Sequence, residues 1–121
     1  MPGSPEPDRA AALAAERCLA AEQVEVLTRD LARVVQASES SNADDEHDPE
    51  GSTIAFERAQ LSAMLDAARR RVQDVDGALA RLAAGDDGRC ERCGSSIGDE
   101  RLLARPWTRL CIACARDQRQ V

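Results

Sequence analysis

The sequence contains no tyrosine and no lysine, and its only aromatic residues are Phe56 and Trp107. A chain so poor in large rings cannot build a thick core, so its apolar contacts must be spread along narrow seams. It also lacks any run of about 18 apolar residues, which excludes a membrane-spanning helix. The start, Met1-Pro-Gly-Ser-Pro-Glu-Pro-Asp8, has neither the basic stretch nor the apolar stretch of a secretory leader. These absences lead us to expect a soluble, cytoplasmic protein. Positive charge is in the minority: 16 basic residues, all arginine, stand against 22 acidic ones, for a net charge of -6. Sequence-independent attraction to nucleic-acid phosphate is therefore weak, which argues against a DNA-coating protein. No glycine-rich phosphate loop, nucleophile elbow or Ser/His/Asp set occurs, so an enzyme is not expected. With 121 residues there is room for one compact unit and an appendage, not for two full-sized cores.

What is present is periodicity. The first eight residues hold three prolines and a glycine and read as a loose N-terminal tail, residues 1–8, with Asp8 available to cap a first helix. From Arg9 to Ser38 there is no proline or glycine, and Leu13, Ala20, Val24, Leu27, Leu31 and Val34 step by fours and threes, with Arg17 as a break. That spacing is a heptad seam on one long helix. A polar stretch from Glu39 to Gly51 comes next, with six carboxylates, a proline and no basic side chain, and it reads as a turn over residues 39–52. The seam then resumes through Ile54, Leu61, Leu65, Ala68, Val72, Val75, Leu79 and Leu82, interrupted only by Arg58, which predicts a second helix from about Thr53 to Ala84 with Gly85 as its C-terminal cap. Two matched helices joined by a polar turn predict a mainly α protein, an antiparallel coiled-coil hairpin over residues 9–84 with arms of about 45 Å and an acidic tip.

The cysteines carry the strongest chemical signal. Cys90-Glu-Arg-Cys93 and Cys111-Ile-Ala-Cys114 are two C-x2-C pairs, spaced as in a four-thiolate zinc site. Each such turn aims two sulfurs at one point, and two turns close a tetrahedron. Without a secretory leader disulfides are disfavoured, and no βαβ pattern supports redox work. We therefore expect one structural Zn2+ organising residues 85–121, a segment too short to fold on its own core, with Arg89 and Arg92 offsetting thiolate charge. Leu102, Leu103, Trp107, Leu110 and Ile112 are the candidates for its small apolar cluster, and Leu110 to Arg119 for a short C-terminal helix. Cys18, off the seam, and His47, the single histidine, read as a bystander thiol and a solvated loop side chain.

Taken together, Cys90-Glu-Arg-Cys93-Gly94, Ile97-Gly98, Arg101-Leu102, Ala104-Arg105-Pro106 and Leu110-Cys111-Ile112-x-Cys114 resemble the C4 zinc-finger signature of the DksA/TraR family of bacterial transcription regulators. The resemblance implies a protein that does not read DNA sequence but binds RNA polymerase directly as a monomer, inserting the coiled-coil tip into the secondary channel. The partner-binding tip residues would be Asp44, Asp45, Glu46, Asp48 and Glu50. Family members carry Asp-x-x-Asp-x-Ala at the tip, and the nearest run here, Asp48-Pro49-Glu50-Gly51-Ser52-Thr53, keeps only the first aspartate. Asp48 followed by Pro49 is also a good helix start. Arg105 matches an arginine that the family uses at its base toward guanosine tetraphosphate. However, Ala115 stands where a basic residue is expected and Asp74 and Asp76 adjoin, a charge pattern that speaks against cooperation with that alarmone. The alternative reading is a zinc-stapled coiled-coil adaptor for a different protein, with the tip serving only as a solvated turn.

Overall fold

In a computed structural model of the protein, which describes residues 5–41 and 49–119, the architecture is helical. Helix α1 spans Pro5–Ser41 and α2 spans Pro49–Ala83. A six-residue α3, Asp99–Ala104, and a terminal α4, Ile112–Arg119, complete it. Both long helices exceed the expected bounds. α1 begins at Pro5 rather than after a tail ending at Asp8, because prolines in a first turn lose no hydrogen bond: the first four N–H groups have no partner within a helix anyway. For the same reason α2 starts at Pro49 and not near Thr53. Residues 42–48, within the stretch of residues 39–52 read as the turn, lie outside the described residues.

The chain divides into two compact units. The unit of residues 19–71 consists of the end of α1, the connection and the start of α2; two helices joined across seven residues and packed on each other run antiparallel. Ala20, Leu65 and Ala68 are buried there, and Val24, Leu27, Leu31, Val34, Ile54 and Leu61 are half-buried, so the seam positions are the packed ones. The other unit joins residues 1–18 to residues 72–121. In this unit the start of α1 and the end of α2 are packed with the cysteine segment. Leu13 and Val75 are fully buried, and with Ala78 they form a cluster against which Leu79, Leu82 and Trp107 pack. Trp107 thus belongs with the helices and not with the apolar cluster around the cysteines. At seam position 17 the arginine is accommodated by reaching Asp76, Nε to Oδ1 at 2.6 Å.

The end of α2 is a glycine cap of the expected kind. Gly85, at φ +99°, donates its N–H to the Leu82 carbonyl, and Asp86 donates to that of Arg81 at 2.9 Å. This pair of reversed bonds satisfies the last carbonyls and needs a left-handed residue between them. It also fixes Asp86 at the point where the chain leaves the helix for the cysteine segment.

A four-thiolate zinc centre

The segment after Gly85 folds around its cysteines. Arg89 and Ser96 form an isolated antiparallel bridge, the Ile97 N–H donates to the Gly88 carbonyl at 2.9 Å, and Cys90 donates to Ser95 at 2.7 Å, so the first cysteine pair sits in a tight two-stranded loop. Gly88, at φ +81°, is buried beneath Leu102; a Cβ there would lie 2.9 Å from Leu102 Cδ1. The second pair opens α4: the Cys111 carbonyl accepts from the Ala115 N–H at 2.9 Å, which places Cys111 just before the helix and Cys114 in its first turn. The Glu91 N–H donates to the Arg109 carbonyl and ties the two halves together.

The result brings Cys90, Cys93, Cys111 and Cys114 together, with their sulfurs all within 4.8 Å of one another. Cys93 Sγ and Cys111 Sγ are 3.8 Å apart. A tetrahedron with Zn–S bonds of about 2.3 Å has edges of about 3.8 Å, so the donor set fits zinc in size as well as in chemistry. Cys90 and Cys111 are buried with Ile97 and Leu102, and Leu110 and Cys114 pack on that cluster. Leu103 and Ile112, expected inside, are exposed at 62% and 52%; Ile97 takes their place. The six-residue α3 goes beyond what periodicity predicts, although Gly98 followed by Asp99-Glu100 is a legible start signal.

The thiols are prepared unequally. Backbone N–H groups, that of Cys111 foremost and then those of Cys93 and Arg92, hold the Cys90 thiol down at about 6, and the Ser95 hydroxyl and N–H lower that of Cys93. Burial pushes Cys114 up to about 12, with the neighbouring sulfurs adding to the effect. A divalent cation among them would reverse that penalty. Arg89 and Arg92 do not face the sulfurs undivided, since they pair with Asp87 at 3.0 Å and Asp117 at 3.1 Å. Four protein ligands fill a tetrahedral zinc and leave no position for water or substrate, so the centre is structural.

Of the other expected site residues, Asp44, Asp45, Glu46, His47 and Asp48 lie outside the described residues, and Glu50 is described only as backbone in the first turn of α2. Cys18 is exposed. Arg105 is exposed and lines a polar recess of about 300 Å3 together with Asp74, Ala115, Arg101 and Arg109. The recess thus joins the matched arginine to the acidic residue and to the alanine that replaces a base.

The segment is a C4 zinc finger of a bacterial kind: residues 79–120 match the prokaryotic dksA/traR C4-type zinc finger. An "Uncharacterized protein" of Aquifex aeolicus is 46% identical over 46 residues, covering 38% of this chain and 32% of that protein. The RNA polymerase-binding transcription factor DksA of Haemophilus influenzae is 41% identical over 49 residues, covering 40% and 34%. These matches span about a third of the relatives' length. A solved structure, transcription factor DksA2 from Pseudomonas aeruginosa, resembles the whole chain more broadly, with TM-score 0.51 and 26% identity over 91% of this chain and 84% of the other. The finger is thus of the DksA/TraR kind, and the fold over most of the chain is similar to that of the Pseudomonas aeruginosa factor. Among the described residues no helix is long and apolar enough to cross a membrane.

Proposed function

We propose that the protein is a non-enzymatic transcription regulator that binds RNA polymerase directly, with residues 42–48 at the tip of its helical hairpin entering the secondary channel. The observation that carries this reading is the pairing of a DksA/TraR finger with two long helices, in a chain whose fold is similar to that of transcription factor DksA2 from Pseudomonas aeruginosa. Asp44, Asp45, Glu46, Asp48 and Glu50 are proposed as the acting tip, and opposite charge in a basic pore would steer their entry. Asp74 lines the same polar recess as Arg105, and Ala115 supplies no charge there, which supports a protein working without guanosine tetraphosphate even with Arg101 and Arg109 in the lining. The chain is proposed to act as a monomer in the cytoplasm.

The test is direct binding. Tagged protein should retain core or holoenzyme RNA polymerase at micromolar concentration, and added guanosine tetraphosphate should leave its affinity unchanged. No retention would sink the proposal. One observation favours the alternative, an adaptor for another protein: Leu19, Val26 and Met64 are exposed at 56%, 46% and 48% and line one groove of about 610 Å3 in the unit of residues 19–71. Failure to hold polymerase together with capture of a different single partner would support that reading.

A further inference from the structure

Arg9 is the buried charged residue among the described ones, with 5% of its surface accessible, at the opposite end of the sequence from the finger. Taking a guanidinium out of water is costly unless its partners are fixed, so such a residue holds something in place. Its Nη1 lies 3.2 Å from Asp86 Oδ2, and its Nε donates to the Pro106 carbonyl at 3.5 Å, across 97 residues of chain. Asp86 and Pro106 lead to the two halves of the zinc centre. Asp86 Oδ1 accepts from the Gly88 N–H at 3.2 Å, and Gly88 begins the two-stranded loop that bears Cys90 and Cys93. Pro106 begins the run into Cys111. That run is pinned from two further helices: Arg81 donates to the Trp107 carbonyl at 3.4 Å, and Arg101 Nε to the Leu110 carbonyl at 2.9 Å.

We infer that Arg9 is a positioning residue for the metal centre, clamping the framework of the first cysteine pair to that of the second, so that zinc retention and the docking of the start of α1 are energetically coupled. Each C-x2-C turn forms locally, and the one backbone bond described from the first turn toward the second, from the Glu91 N–H to the Arg109 carbonyl, leaves freedom in their mutual bearing. A four-thiolate site needs both aimed at one point within a few tenths of an ångström. One side chain bonded to both approaches restricts that bearing further, and it comes from the N-terminal part of the sequence. Coupling of this kind is reciprocal: what Arg9 adds to zinc retention, bound zinc adds to the docking of α1.

The experiment measures zinc release to excess chelator from the full-length loaded protein. Arg9→Gln, which removes the ion pair, should release zinc about tenfold faster than the parent; Arg17→Gln, which breaks the exposed pair with Asp76 in the same unit, should release it at the parental rate. Parental release from folded Arg9→Gln, or equal acceleration by Arg17→Gln, would overturn the inference. Should Arg9→Gln fail to fold, the unsubstituted protein still decides. Amide hydrogen exchange over residues 9–15 should speed up at least tenfold when zinc is stripped, whereas exchange over residues 24–35 should not, and unchanged protection over residues 9–15 would refute the coupling.

Discussion

At the scale of the residue, one glycine and two cysteines concentrate the demands of the finger. Gly88 combines a left-handed backbone with the close approach of Leu102, so Gly88→Ala meets both a conformational penalty and a packing clash. We expect it to cost about 2 kcal/mol. Denaturant titration of the zinc-loaded protein checks this, and a loss below about 0.5 kcal/mol would show that Leu102 yields freely. The cysteines make a second prediction, about protons. A depressed thiol such as Cys90 favours the folded metal-free state above the ordinary thiol range and loses that contribution as the pH falls through about 6. Cys114, raised to about 12, acts in the opposite sense: its thiol opposes ionisation, so folding without metal is disfavoured as the pH rises beyond the ordinary range toward 12. Zinc requires both as thiolates. Uptake near pH 7 should therefore release a proton from Cys114 and almost none from Cys90, and affinity should fall more steeply below pH 6, where Cys90 too must give up a proton. Competition with a chromophoric chelator from pH 5 to 8 measures the slope; an affinity flat across that range would contradict the assignment.

At the scale of the element, the seam and the cysteine pairs are legible in the sequence because both are local codes. A heptad declares itself within two turns, and C-x2-C within four residues. What escapes is whatever depends on distant chain. Trp107 looks in sequence like a companion of the cysteines, yet it packs with helix residues far away along the chain, and no local pattern distinguishes the two fates. Leu103 and Ile112 are misplaced by sequence reasoning because short helices of six and eight residues give too few turns for periodicity to assign a face. The helix starts are read too late when proline counts as a boundary, whereas at a first turn it is compatible with helix. The Arg9 contacts bridge 97 residues and leave no trace in spacing at all. Within the unit that holds the finger, Leu13 is fully buried against Val75 and Ala78, so Leu13→Ala should cost about 3 kcal/mol as a cavity opens. Leu19→Ala, six residues further along α1 but 56% exposed, should cost under about 1 kcal/mol. Thermal melts of the two variants should separate clearly; equal shifts would mean that α1 does not pack by this seam.

At the scale of the whole molecule, the acidic character is concentrated where the two long helices join. Asp44, Asp45, Glu46, Asp48 and Glu50 are five of the 22 acidic residues, gathered within seven positions without a basic neighbour. Apart from the helix start that Asp48 before Pro49 offers, such a cluster works against the isolated chain, since like charges close together repel. The value of the remaining charge must lie in a partner or nowhere. If the protein works inside a polymerase channel, the carboxylates act in a confined space where water screens poorly, and each counts for more than on a free surface. Affinity, by contrast, would come from the helices and the finger. Converting all five to amides should therefore leave folding, and binding to polymerase at moderate salt, within about 1 kcal/mol of the parent. The lifetime of promoter complexes and the yield of run-off transcript should nevertheless change. Asp48 precedes Pro49, the first residue of α2, so Asp48→Asn is a cleaner single probe than Asp48→Ala: asparagine keeps a capping oxygen and removes only the charge. The comparison must be made at matched occupancy of polymerase, because a variant that merely binds less would also change transcription. Equal transcription by parent and fully amidated protein under those conditions would show the acidity to be a solvated turn, and would shift the weight to the adaptor reading and its apolar groove.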